Sequence, residues 1–187
     1  GFEGYTAITQ SLGQHQHLED FWLEKLCLEG HSEAVTCVAW NPDGTKLVSG
    51  AGSYADVPGE VFVWSSTNGD KIFELKGHSG AVTSVVWSPD GTKLASGSGR
   101  LDNVDWSAGE VFIWDPASGT KLAQLEGHSS LVTSLVWSPD CTKLVSGGDG
   151  SGSEEYSWDN PGEILVWDAA TGVKLFELKG HSKRVTS

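Results

Sequence analysis

Four histidines, His31, His78, His128 and His181, each stand between a glycine and a serine. Histidine near serine is the pairing that activates a hydroxyl nucleophile, provided a third group orients the imidazole. Here the pairing returns at every Gly-His as part of a repeated segment. That assigns these side chains to a scaffold rather than to one reactive centre. His15 and His17 lie outside the repeated segment and have no companions that define a site. There is no GxSxG elbow, no phosphate-binding GxxxxGK[ST] loop and no HExxH pair. The expectation is a protein that is not an enzyme and carries no cofactor.

Carboxylates are the other candidates for chemistry. Lys and Arg number 12 against 25 Asp and Glu, a formal net charge of −13. Phosphate backbones need a positive surface, so direct nucleic-acid binding is not expected. Much of the negative charge falls in three stretches, Ala51–Glu60, Ser98–Glu110 and Gly148–Glu163. The first holds Asp56 and Glu60, with Tyr54; the second holds Asp102, Asp105 and Glu110, with Trp106. The third holds Asp149, Glu154, Glu155, Asp159 and Glu163, with Tyr156 and Trp158. Clustered carboxylates can bind a hard cation, but LDNVD (Leu101–Asp105) lacks the glycine-bounded order of a calcium loop, so no metal is expected. The recurring Glu60, Glu110 and Glu163 read as strand starts rather than as a ring of ligands. Cys27, Cys37 and Cys141 form no CxxC pair and suggest no disulfide framework. With no Asn-x-Ser/Thr acceptor, they lean toward a reducing, cytoplasmic compartment without fixing one.

The elements that position these residues come from one repeated unit. Gly77–Gly97, GHSGAVTSVVWSPDGTKLASG, returns at Gly30–Gly50 and at Gly127–Gly147, and a partial copy opens at Gly180. Repetition at this period signals stacked supersecondary units. Each full copy reads as four short strands. Ala34–Trp40 and its counterparts are rich in β-branched residues, and an NPDG or SPDG turn leads to KLVSG or its equivalent. GEVFVW, GEVFIW and GEILVW supply the third strand; KIFELK, KLAQLE and KLFELK supply the fourth. Spacing is constant within the copies except between the second and third strands, where the chain lengthens from copy to copy. Residues 1–23 do not follow the repeat; Leu18, Phe21, Trp22 and Leu26 would share one face of a short helix there. No window is long and apolar enough for a membrane-spanning helix.

Gly-His, then SPDG, then Trp-Asp at fixed spacing resembles the WD-repeat β-propeller family, over roughly Lys25 to the C-terminus. The resemblance implies an all-β fold of four-stranded antiparallel blades. About three blades are present, in a unit spanning residues 24–187 with repeats opening at 30, 77, 127 and, in part, at 180. Propellers usually have four to eight blades, so this chain is expected to be part of a larger propeller, completed by further sequence or by another subunit. The resemblance also implies a buried hydrogen-bonded set in each repeat. Carried over, its members are His31, Ser49 and Trp64; His78, Ser96 and Trp114; His128, Ser146 and Trp167. The family's turn Asp, six residues before the third-strand Trp, is replaced here by Pro58, Ala108 and Pro161. The set is therefore expected to lack its acid. Trp-Asp survives at Trp114–Asp115 and Trp167–Asp168 but is Trp64–Ser65 in the first copy, and Cys141 takes the glycine position of its turn.

In such a blade the Gly-His connection and the loop between strands two and three open on one face. The function expected is a non-enzymatic scaffold for protein partners in a multi-subunit assembly. It would dock them through Tyr54, Asp56, Asp102, Asp105, Trp106, Glu154, Glu155, Tyr156, Trp158 and Asp159, and through blade edges. The alternative is a sensory propeller that binds a ligand, sugar or metal within a larger protein, although no repeated aromatic pocket marks a sugar site.

Overall fold

The computed structural model describes residues 27–53, 57–99, 108–149, 162–183 and 185–186. Among them the fold is twelve strands in three sheets, with no helix. The first sheet runs in chain order through β1 (Val35–Trp40), β2 (Lys46–Ala51), β3 (Glu60–Ser65) and β4 (Lys71–Glu74). β5 (Ala81–Trp87), β6 (Leu94–Gly99), β7 (Glu110–Asp115) and β8 (Thr120–Leu125) make the second. The third is β9 (Val132–Trp137), β10 (Lys143–Gly148), β11 (Glu163–Asp168) and β12 (Lys174–Glu177). Every pairing is antiparallel between chain neighbours. This is the four-stranded blade that the repeat calls for, present three times. The short helix expected before the repeats lies outside the described residues.

The turn between the first two strands of each blade is built by its own side chains. In the second blade the Asp90 carboxylate accepts from the Ser88 hydroxyl at 2.5 Å and from the Thr92 N–H at 3.0 Å, closing the loop on itself. Those donors hold the Asp90 carboxyl down at about 2. Asp140 does the same with Ser138 and Thr142, and Asp43 with the Asn41 side-chain amide in place of a serine hydroxyl and with the Thr45 N–H. The fourth turn residue has positive φ: 73° at Gly44, 71° at Gly91 and 60° at Cys141. Glycine reaches that conformation freely, whereas Cys141, at the glycine position of its turn, holds it with a β-carbon and so strains the backbone.

The core sits between blades, not within one. At the first junction Val48, Val61, Val63 and Leu75 of one blade meet Val82, Val85, Trp87, Leu94, Phe112 and Trp114 of the next. A matching cluster at the second junction includes Ile113, Leu125, Val132, Leu135, Trp137 and Trp167. Polar contacts repeat across the same seams. Thr36 donates to the Val82 carbonyl, Thr83 to the Val132 carbonyl at 2.5 Å, and Thr133 to the Val185 carbonyl at 2.6 Å. Lys46 Nζ reaches the Pro116 carbonyl at 3.4 Å, and Lys93 Nζ the Ala169 carbonyl at 3.3 Å.

Candidate functional site

Each blade carries a chain of buried polar groups leading from its third strand to the connection that precedes its first. In the second blade the indole N–H of Trp114 donates to Ser96 Oγ at 2.8 Å, and Ser96 Oγ lies 2.6 Å from His78 Nε2. His78 Nδ1 faces a carboxylate oxygen of Glu110 at 3.2 Å and the Ser98 hydroxyl oxygen at 2.7 Å, and that hydroxyl donates to the same carboxylate at 3.0 Å. A carboxylate only accepts and an indole only donates. Nδ1 therefore carries the imidazole proton, and the Ser96 hydroxyl donates to Nε2. The same connections recur in the first blade through Trp64, Ser49, His31 and Glu60, at 2.7, 2.6 and 2.8 Å. In the third they run through Trp167, Ser146, His128 and Glu163, at 2.7, 2.6 and 3.1 Å.

The acid was the member that sequence reasoning missed. The sets were expected to lack one, because Pro58, Ala108 and Pro161 stand at the turn position. Instead Glu60, Glu110 and Glu163, the first residues of β3, β7 and β11, reach the histidines. A longer side chain placed two residues closer to the tryptophan spans the gap left by the absent aspartate. Each glutamate is also held by the serine after the histidine. The Ser79 N–H and hydroxyl donate to Glu110, both at 2.9 Å, and Ser32 and Ser129 donate in the same way to Glu60 and Glu163. The signal was in the sequence: a Gly-Glu pair at constant distance from the third-strand tryptophan in every copy.

Electrostatics follow from that geometry. Desolvation alone would push the Glu110 carboxyl up. The donors on His78 and Ser79 outweigh it and hold the group at about 2. Burial, opposed by Glu110, pushes the His78 imidazole below its usual value, so it is neutral near pH 7. The Ser96, His78 and Glu110 arrangement has the connectivity of a nucleophile, base and orienter. Ser96 and His78 are nonetheless enclosed, and the serine oxygen already accepts the Trp114 indole N–H. His31 stacks on Phe62 at 4.2 Å and His78 on Phe112 at 4.3 Å, closing the imidazole faces.

Of the other residues singled out from the sequence, Tyr54, Asp56, Asp102, Asp105, Trp106, Glu154, Glu155, Tyr156, Trp158 and Asp159 lie outside the described residues. The ends of their stretches are described. They open beside the connection into the next blade, where Gly59 abuts the Gly80 carbonyl and Gly109 the Ser130 carbonyl. Glu60, Glu110 and Glu163 are spent within the buried sets.

Three blades of this construction, with one hydrogen-bonded set apiece, define a repeat-built β-propeller. The family model described as WD domain, G-beta repeat, matches residues 23–65, 69–115 and 119–151, and the chain belongs to this WD40 family. The second and third matches open on the fourth strand of one blade, β4 or β8, and run on into the first strands of the next. A structure of U3-55K and a crystal structure of RRP9 WD40 repeats are each similar at 25% identity with a TM-score of 0.67. Each similarity covers 84% of this chain and 42% of the other, so the chain spans less than half the length of these relatives. Among curated proteins none matches. The WD40 propeller fold commonly mediates protein–protein interaction and generally serves as a non-enzymatic scaffold.

Proposed function

We propose that this chain is a non-enzymatic interaction scaffold that docks protein partners through the faces at the two ends of its row of blades and through the stretches between second and third strands. The carrying observation is a contrast among equivalent residues. Trp87 and Trp137 are each 6% exposed because a preceding blade covers them, whereas Trp40 is 59% exposed, beside exposed Val35 and Val38. At the other end Leu178 is 49% exposed, against 1% for its counterparts Leu75 and Leu125, and Phe176 is exposed beside it. Apolar surface that the fold buries wherever a blade is available is surface suited to a partner blade, from the same protein or from another subunit. Residues 24–187 act as one propeller unit in this reading, with residues 1–23 outside it.

The second docking element is acidic and aromatic. With the three glutamates withdrawn into the frame, Asp56, Asp102, Asp105, Glu154, Glu155 and Asp159 remain, interspersed with Tyr54, Trp106, Tyr156 and Trp158. Such a mixture suits a basic or mixed protein surface. The enclosure of each serine and histidine favours a structural over a catalytic role for these sets. The deciding experiment is co-purification of the whole protein from its source cells. A variant with Glu154→Gln, Glu155→Gln, Asp159→Asn and Trp158→Ala is expected to lose partners that the parent retains. An unchanged set of partners would rule out the loop face.

A further inference from the structure

The three buried sets differ at one position. In the second blade a further hydroxyl, that of Ser98 on β6, lies fully buried opposite Glu110. Its oxygen is 2.7 Å from His78 Nδ1, and it donates to the Glu110 carboxylate at 3.0 Å. The residue in the same register is Ala51, opposite Glu60, in the first blade and Gly148, opposite Glu163, in the third. Neither has a hydroxyl to give. A β-carbon on Gly148 would fall 2.6 Å from the Leu131 carbonyl oxygen, so the third blade has no room for a serine there.

The donors on each carboxylate show the consequence. Glu60 accepts from the Ser32 N–H and hydroxyl and from His31, and Glu163 from the Ser129 N–H and hydroxyl and from His128. Glu110 has the equivalent donors on Ser79 and His78, and the Ser98 hydroxyl besides. Each donor favours the ionised carboxylate, so a proton arriving on Glu110 must displace one bond more than on either of the others. Burial opposes ionisation at all three glutamates and the donors outweigh it, with Glu110 the one held down at about 2.

Neighbouring charges leave this order in place. Each carboxylate faces its own histidine, and Lys71 and Lys121 stand 4.1 Å over the Phe62 and Phe112 rings on which His31 and His78 stack. Lys174 has the matching place on β12. Asp149 follows Gly148 in the third blade, and a like charge there eases protonation of Glu163 further.

We propose that Ser98 makes the second blade the acid-resistant one, so that falling pH releases the buried sets of the first and third blades before that of the second. A carboxylate held below its ordinary 4.5 supports the fold above that pH and loses its support as pH falls through its folded value, which for Glu110 comes last. Each glutamate ties the Gly-His connection ahead of its blade to the head of the third strand. Its protonation frees that connection first, and the chain answers acid in two stages with the second blade as anchor. The response stands apart from partner docking.

The test follows the indole N–H resonances of Trp64, Trp114 and Trp167 in the full chain from pH 7 to pH 3, since each indole donates to the serine of its own set. Protection at Trp64 and Trp167 is expected to fail at least about half a pH unit above that at Trp114. In Ser98→Ala the Trp114 midpoint should rise to meet the other two. Ala51→Ser, which places the hydroxyl in the first blade, should lower the Trp64 midpoint toward that of Trp114. Loss of all three resonances together in the parent would overturn the proposal. So would an order that survives Ser98→Ala, because the position of the second blade between two seams would then account for it. If Ser98→Ala fails to fold, the Ala51→Ser midpoint decides: a Trp64 midpoint unmoved by the added hydroxyl refutes the role given to Ser98.

Discussion

At the scale of the residue, the decisive object is the carboxylate at the head of each third strand. Glu110 is held at about 2, against an ordinary 4.5, so its contribution to stability is complete above about 4.5 and is lost as pH falls toward 2. His78 is also depressed, below its ordinary 6.5, because burial favours the neutral ring. A folded state that resists protonation loses stability as pH falls below 6.5. Both groups therefore act in the same direction. The melting temperature is expected to decline from about pH 6.5 downward and to steepen below about pH 4.5. In Glu110→Gln the steeper lower limb should shrink while the decline from pH 6.5 persists, because His78 is still present to be protonated. Differential scanning calorimetry between pH 3 and pH 8 checks it, and a parent with a flat profile would refute the argument.

At the scale of the element, the turn of the third blade is the natural place to look for a local flaw. Three turns share one hydrogen-bond pattern, yet only one of them places a β-carbon at positive φ. Cys141→Gly should relieve about 1 kcal/mol of backbone strain. Part of that gain is offset by the greater freedom of glycine in the unfolded chain and by a lost hydrogen bond to Asp90. The net expectation is a rise in melting temperature of about 1–2 °C. A fall would mean that the Cys141–Asp90 contact between adjacent turns outweighs the strain.

At the scale of the whole molecule, stability is lodged at the seams between blades, so one motif position carries different energies in different copies. Trp87 is packed at a seam and Trp40 faces outward. Trp87→Ala is expected to cost about 3–5 kcal/mol, as for a large aromatic removed from a core. Trp40→Ala in the same chain should cost within about 1 kcal/mol. Urea titration of both variants measures the difference. Equal costs would show that the outward face is covered in solution, and acrylamide quenching of Trp40 would then report the cover directly.

How much of this was legible beforehand depended on the range of the interactions involved. Strand identity, turn chemistry and the presence of three blades followed from alternation, SPDG and repetition, because those are local and recur. The tryptophan, serine and histidine of each set were legible through the family pattern. Their acid was not, because a glutamate opening a strand has the same local signature whether it ends in solvent or on a histidine. Its partner lies about thirty residues earlier in the chain, and only closure of the sheet brings the two together. Likewise the sequence marks Trp40, Trp87 and Trp137 as equivalent, and by itself it determined that each is an inner-strand tryptophan. Which of them is buried was decided by the tertiary structure alone, since burial here comes from the neighbouring blade and not from the strand that carries the residue.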